Sequence, residues 1–501
     1  MNRRKFALSW GRKLFFGISW PLSSILGLLY FRSFILPESG TEFIYVLLTY
    51  LGQFGIFNTL VYFFLFAPVV LIFPTYYISR FWSLILILLL NLFIFLDAYS
   101  FSSYHHHIYS YIYKIILPSG FHHFIGASAG VILLSVATFV IAILIWIRGE
   151  LLWRSMQARF SNPVGYWYLL LILVTLGLSK TMFHYGTIHP KLSDLFPINL
   201  NFKKTSLANT DNRKFFYPSG DLECRGKQNP NLVLIVLNEW DQTDFNLNEM
   251  PKVFHMRRHA HTFNSHVSNG LDTDTGLYSL MYSVPATYMD STRKIRPAIF
   301  DVLKARKYEI VDFQNREKDS IVHDESLNLK INQWSETRAV DNFQPFFISM
   351  VIAQKSTSAD REIQKILFQL LKHGLLKNTN ILITGAYGGK KSNHTPLVWI
   401  TPEPKGVEFN HPTSHFDLMP SVMEKLWGCR KSHKEASAGN SLLNPKREWF
   451  LISSKKDFKI LDVKRNNLTT VKEGQISDIG DHPRHEFVFS AMKLMTKFYR
   501  P

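Results

Sequence analysis

Three short stretches hold residue types that could do chemistry. LVLIVLNEW (232–240) is an apolar run that closes on Asn238 and Glu239; SNGLDTDTG (268–276) frames Thr273 with two aspartates and two glycines; ILITGAYGG (381–389) ends in Ala386 and Tyr387 between glycines. In an open α/β sheet, ligands bind beyond the carboxyl ends of the strands. A metal-dependent phosphoryl or sulfuryl transferase on that scaffold needs an acid from the first strand end, a hydroxyl nucleophile beside it and an Asp-His pair from a later one. The metal lowers the pKa of the hydroxyl and neutralises charge building on the transferred group. Thr273 is the candidate hydroxyl. It also reads as part of a polar turn with an Asx cap opening the helix GLYSLMYS, and that reading is favoured. Side chains alternate along a strand, which sends Glu239 to the opposite face from Asn238. The acid is therefore missing from its expected place.

Positioning these ends takes a sheet. LVLIVL and FFISMVIA read as buried strands, AIFDVLKARKYEIVDF as helix then strand, and DREIQKILFQLLKHGLLKNTNILITGAYG as a long helix, a stop at Gly374, then a strand. Apolar strands separated by helices of this length imply a parallel sheet covered on both faces. About 270 residues suffice for one such domain.

Ahead of this domain the chain is of another kind. Apolar runs at 14–35, 44–73, 80–100, 124–147 and 164–187 are each near or above the roughly 20 residues that cross a bilayer core. Arg3, Arg4, Lys5, Arg12 and Lys13 precede or open the first run, Arg80 opens the third, and Arg148, Arg154 and Arg159 lie between the fourth and fifth. Basic residues stay on the cytoplasmic side, so the N-terminus is expected there and everything beyond 187 outside. The first run is too long for a cleaved leader and lacks a small-residue cleavage pattern. The segment around His105, His106, His107 and Lys114 reads as lying in the outer interface, and Asp97 as a hydrated helix end.

The 501 residues carry a net charge of +18. Residues beyond 186 hold 44 Lys and Arg against 34 Asp and Glu, so the outer part is itself basic. An anionic partner follows, and lipid phosphate at a membrane surface fits the location better than nucleic acid. Cys224 and Cys429 are the only cysteines. An oxidising compartment would let them pair; two separate thiols are the other reading. Residues 188–230, with Pro190, Pro197, Pro218 and Pro230, read as a juxtamembrane connector.

Taken together, LVLIVLNEW, SHVSNGLDTDTGLYSLMYSVPATYMD, ILITGAYGG, HPTSHFDLMPSVMEKLW and GNSLLNPKREWFLIS resemble the YejM/PbgA family of inner-membrane proteins. The resemblance implies a five-helix transmembrane domain (1–187), a periplasmic linker (188–230) and an α/β sulfatase-like domain of the alkaline phosphatase superfamily (231–501). Carrying over that superfamily's pattern puts Asn238 in the place of the first acidic ligand, Thr273 in that of the nucleophile, and Ala386 and Tyr387 in those of the Asp-His pair. Asn offers a weak carbonyl, Ala nothing, and Tyr is a poor ligand at neutral pH. His394, His411 and His415 remain downstream, short of a full shell. The resemblance thus implies a pseudoenzyme with no bound metal or other cofactor.

It further implies a sensor of lipopolysaccharide, recognised through lipid A, that acts on the LapB adaptor and, through it, on degradation of the deacetylase LpxC by the FtsH protease. The basic connector residues Lys203 and Lys204, with Arg213 and Lys214 behind them, stand where such proteins meet lipid A phosphates. A lysine lacks the bidentate fork of arginine on phosphate. The competing expectation is a metal-dependent hydrolase, or a phosphoethanolamine or glycerophosphate transferase, which should keep the acid, the Thr and the Asp-His pair together.

Overall fold

The computed structural model describes residues 3–33, 40–104, 107–108, 217 and most of 222–498. The fourth and fifth expected membrane helices, and Lys203, Lys204, Arg213 and Lys214, lie outside the described residues. The chain divides into two units, one holding the N-terminal helices and the other nearly everything from Phe215 to Phe498.

Continuous apolar runs form the central strands because both faces of the sheet are covered. In β1 (Asn231–Glu239), Leu232, Leu234 and Val236 enter one core while Val233, Ile235 and Leu237 enter the other. This is the two-residue period of a strand buried on both sides. Further strands of this unit are β2 (Ala260–Phe263), β3 (His266–Val267), β4 (Glu309–Phe313), β5 (Phe346–Ile352), β6 (Thr379–Tyr387), β7 (Leu397–Ile400), β8 (Val407–Phe409) and β9 (Thr413–Ser414). The main sheet runs β4-β5-β1-β6-β7-β2-β8. Strands β4, β5, β1 and β6 are parallel, as expected. The expectation of a wholly parallel sheet is corrected at β7, which is antiparallel to both β6 and β2. The link 388–396 is too short for the crossover helix that a parallel neighbour needs, so the chain turns back on itself.

Helices α1 (Pro251–Met256), α2 (Thr273–Tyr282), α3 (Ala298–Ala305), α4 (Glu325–Arg338), α5 (Ser356–Lys372), α6 (His415–Trp427) and α7 (His485–Leu494) belong to the same unit. A four-stranded antiparallel meander, β10 (Trp449–Ser453), β11 (Phe458–Asp462), β12 (Asn467–Lys472) and β13 (Gln475–Ile479), was not anticipated from sequence. Cys224 and Cys429 are joined by a disulfide spanning 205 positions. The guanidinium of Arg306 donates to the carbonyls of Cys224 and Gly226, and the buried hydroxyl of Tyr217 donates to Tyr282 O at 2.9 Å. The end of the connector is thereby part of this unit's packing.

Among the described residues of the N-terminal unit, three helical segments are long and apolar enough to cross a membrane: Ala7–Tyr30, Tyr50–Ile72 and Tyr77–Ser102. The first begins earlier than its apolar run suggests, because Ala7 and Trp10 are buried and the helix runs straight through Arg12 and Lys13. Aromatic rings lock the segments together. Phe15 meets Tyr62 and Phe66 at 5.9 and 5.5 Å between centroids. A Cβ on Gly11 would collide with the ring of Phe66, and one on Gly27 with the ring of Phe54. Small residues let neighbours approach closely where no hydrophobic force favours association in lipid.

Polar side chains join the same packing. Ser23 donates to Asn91 Oδ1 at 3.0 Å, and Asn58 and Asn91 donate to Ser23 and Ser19 at 3.2 Å each. Asp97 is wholly buried rather than hydrated, which corrects the reading from sequence. Its carboxylate accepts from Tyr30 OH at 2.6 Å and from Ile108 N at 2.7 Å, and lies 2.7 Å from His107 Nδ1. His107 is accordingly a buried partner of the third segment and not an interfacial side chain; His105 and His106 lie outside the described residues.

Candidate functional site

The three stretches singled out from sequence converge at the carboxyl ends of β1 and β6. Register pairs Leu237 with Gly385 and Glu239 with Tyr387, so Asn238 stands level with Ala386 between them. The N-terminus of α2 closes over this edge. Asp272 caps it, accepting from Thr275 N and from Thr275 Oγ1 at 2.8 Å each, while Thr275 Oγ1 accepts from the backbone of Leu271 and Asp272. The Asx-capped turn expected here is present. Gly276 is required by this closure, since a Cβ there would strike the carbonyl of Ala386. Ser268 Oγ donates to the same carbonyl at 2.6 Å.

Thr273 therefore comes to the ends of β1 and β6 by backbone geometry. Its hydroxyl lies 3.4 Å from Asn238 O, a long hydrogen bond. Ala386 is buried and presents only a methyl group. Tyr387 is half-exposed, and its hydroxyl donates to Glu239 Oε2 at 3.2 Å. Partial burial, the Glu239 charge and that hydrogen bond, and Asp272 all hold the phenol protonated above its ordinary range.

Glu239 is the residue whose partner sequence reasoning did not find. Alternation does turn it away from Asn238, but on the pairing strand Tyr387 turns the same way, and the strand ends there. The two side chains meet, and Gly389, at φ 94°, approaches so closely that a Cβ would strike the Glu239 carboxylate. Glu239 ends its strand two positions beyond the last buried residue, Leu237, and Tyr387 ends its strand one position beyond Ala386.

Behind this edge lies a histidine pair, of which only His415 was singled out from sequence. His266 and His415 are fully buried with ring centroids 5.2 Å apart. His266 Nδ1 lies 2.9 Å from Thr413 Oγ1, while its Nε2 has no partner. Burial is the main cause that lowers both imidazoles, His266 well below 6.5 and His415 to about 3. Both are therefore neutral near pH 7. His394 is half-buried and also lowered, chiefly by burial, and His411 is taken by the carbonyl of Leu442 at 2.8 Å.

The donor set does not fit a metal of the kind this chemistry uses. Glu239 and Thr273 are the donors at the edge, Asn238 adds only a neutral amide, Ala386 adds nothing, and the Tyr387 phenol keeps its proton. Among the described residues, no group of three or more His, Cys, Asp or Glu side chains is placed to hold a metal ion.

Comparison with known proteins agrees with the family resemblance. Residues 2–187 match the family described as "Domain of unknown function (DUF3413)". The inner membrane protein YejM of Salmonella typhi and that of Salmonella typhimurium are each 22% identical over 280 residues, covering 46% of this chain and 47% of the relative. The chain spans about half the length of the curated relatives it matches. Among solved structures, an alkaline phosphatase superfamily protein from Vibrio parahaemolyticus is similar at 13% identity and TM-score 0.45, covering 58% of this chain and 91% of that one. The lipoteichoic acid synthase LtaP of Listeria monocytogenes is similar at 13% identity and TM-score 0.42, covering 60% and 96%. The chain is thus similar to YejM inner membrane proteins over part of its length, and it joins apolar N-terminal helices to an α/β unit.

Proposed function

We propose that this protein is a non-catalytic sensor of lipopolysaccharide in the inner membrane, its α/β unit on the periplasmic side. One observation carries the reading: the strand ends and the helix that would assemble a metal site are kept, while the side chains that would fill it are an amide, a methyl group and a phenol tied to Glu239. Selection that kept the scaffold without the donors points to recognition instead of turnover. The basic balance of the outer part favours an anionic ligand.

Lipid A phosphates are the proposed ligand, with Lys203, Lys204, Arg213 and Lys214 as the contacts. The occupied state is proposed to regulate lipopolysaccharide synthesis through a cytoplasmic adaptor and protease, LapB and FtsH in the family this chain resembles. An ammonium near anionic headgroups contributes on the order of 1 kcal/mol, so changing Lys203 and Lys204 together to Ala should weaken lipopolysaccharide binding about tenfold or more. Reversal of both to Glu should weaken it further, and salt should shrink the difference. Unchanged binding at low salt by folded variants overturns this site.

A second reading is a metal-dependent hydrolase or a phosphoethanolamine or glycerophosphate transferase. What favours it is that Glu239 and Thr273, a carboxylate and a hydroxyl, do reach the same edge of the sheet. Turnover dependent on Thr273 separates the two.

A further inference from the structure

Helix α5 has two unlike faces. Ala359, Ile363, Ile366 and Leu370, three and four apart, enter the core beneath the sheet. The opposite stripe keeps the same spacing in Arg361, Lys365, Phe368, Leu371 and Lys372, all exposed. Phe368 and Leu371 are each 61% exposed, far more than a helix needs when its only task is to cover a sheet. Lys377 follows beyond the helix end. The nearest acid on the helix, Glu362, is buried and lies 3.6 Å from Lys365. The stripe is thus cationic with two large apolar side chains near its centre.

We propose that this face of α5 docks on an anionic lipid surface, with Phe368 and Leu371 entering the boundary between headgroups and acyl chains and Arg361, Lys365 and Lys372 meeting lipid phosphates. Basic residues flanking protruding Phe and Leu are the composition of a helix that lies in a charged bilayer interface. Charge complementarity selects this occupant over a second copy, which would bring the same cations face to face. Because the same chain carries segments long enough to cross a membrane, a bilayer is always at hand and only weak attraction is needed. This site shares no residue with the proposed lipopolysaccharide contacts.

The test uses the full-length protein, one copy per nanodisc, without lipopolysaccharide. A fluorophore sensitive to polarity is attached at Phe368→Cys, the native cysteines being engaged in their disulfide. Discs of phosphatidylcholine are compared with discs containing phosphatidylglycerol. The expected result is a blue shift of emission only in the anionic discs, reversed by added salt and mostly lost when Arg361, Lys365 and Lys372 are changed to Gln. A probe at Glu403→Cys, exposed elsewhere on the unit, should respond to neither lipid. Equal emission in both discs overturns the proposal, as does a shift that survives the triple Gln change. A shift that needs two copies per disc would assign the face to self-association and also overturn it. Failure of lipopolysaccharide binding leaves every one of these outcomes unaffected.

Discussion

Two places in the molecule, the Asp97 cluster and the strand ends of the α/β unit, treat polar groups in different ways. Inside the N-terminal unit Asp97 is fully buried and takes contacts from Tyr30, His107 and the backbone of Ile108, and Asn91 and Asn58 are bonded across segments. At and behind the strand ends of the α/β unit, His266 keeps a buried nitrogen without a partner, and Glu239 meets a single phenol at the surface. A polar group in lipid must be satisfied by the protein or be lost. Behind the strand ends of the α/β unit, the buried His266 nitrogen has no such partner. The first arrangement therefore specifies packing, and the second is the one on which the proposed non-catalytic reading rests.

Removing the key group from each region should show the contrast directly. Asp97→Ala leaves a hydroxyl, an imidazole and a backbone N–H without their shared acceptor, at a cost of about 3 kcal/mol or more. Thermal unfolding in detergent should show a clear fall in midpoint, smaller for Asp97→Asn, which keeps an acceptor. A loss below about 0.5 kcal/mol, the level of an ordinary surface change, would mean that the cluster does not specify packing.

The histidine pair should make the α/β unit sensitive to acid. Both folded-state values lie below the unfolded value near 6.5, so their contribution is fully present above that pH and is lost as pH falls toward the folded values. Each imidazole that must be kept neutral adds about 1.4 kcal/mol per pH unit below 6.5. Unfolding midpoints of the full chain from pH 7.5 to 5 should fall accordingly, and His415→Phe should flatten the slope. A slope unchanged in that variant would remove His415 from the account.

The smallest effect is expected at the exposed pair. Glu239→Gln or Tyr387→Phe should change stability by less than about 1 kcal/mol, because a solvent-facing hydrogen bond is nearly balanced by water. Chemical denaturation of both variants measures this. A loss several times larger would make Glu239 a structural acid like Asp97 and erase the distinction drawn between the two regions.

Period and composition carried much of this to the reader of the sequence, but only where one side chain's environment follows from its own neighbours. The doubly covered β1 and β6, and the amphipathic α5 with its Gly374 stop, are of that kind. The capped turn at Asp272 is too, because Thr275 lies within the same turn. What was hidden depends on distant pairing. Glu239 joins the site only because β1 and β6 stop in register; Asp97 is buried because Tyr30 arrives from another segment and His107 folds back from just past the helix end; Cys224 finds Cys429 across more than 200 positions. The antiparallel β7 was hidden differently, since its direction is set by the length of the link before it and not by its own apolar residues.

The central proposal, that the α/β unit recognises and does not react, is tested most directly by measuring bound metal and ester hydrolysis together on the purified full-length protein and on Thr273→Ala. The account predicts no stoichiometric zinc, manganese or magnesium, and phosphate- and sulfate-ester turnover at background, equal in parent and variant. Stoichiometric metal in the parent, with turnover abolished by Thr273→Ala, would contradict it.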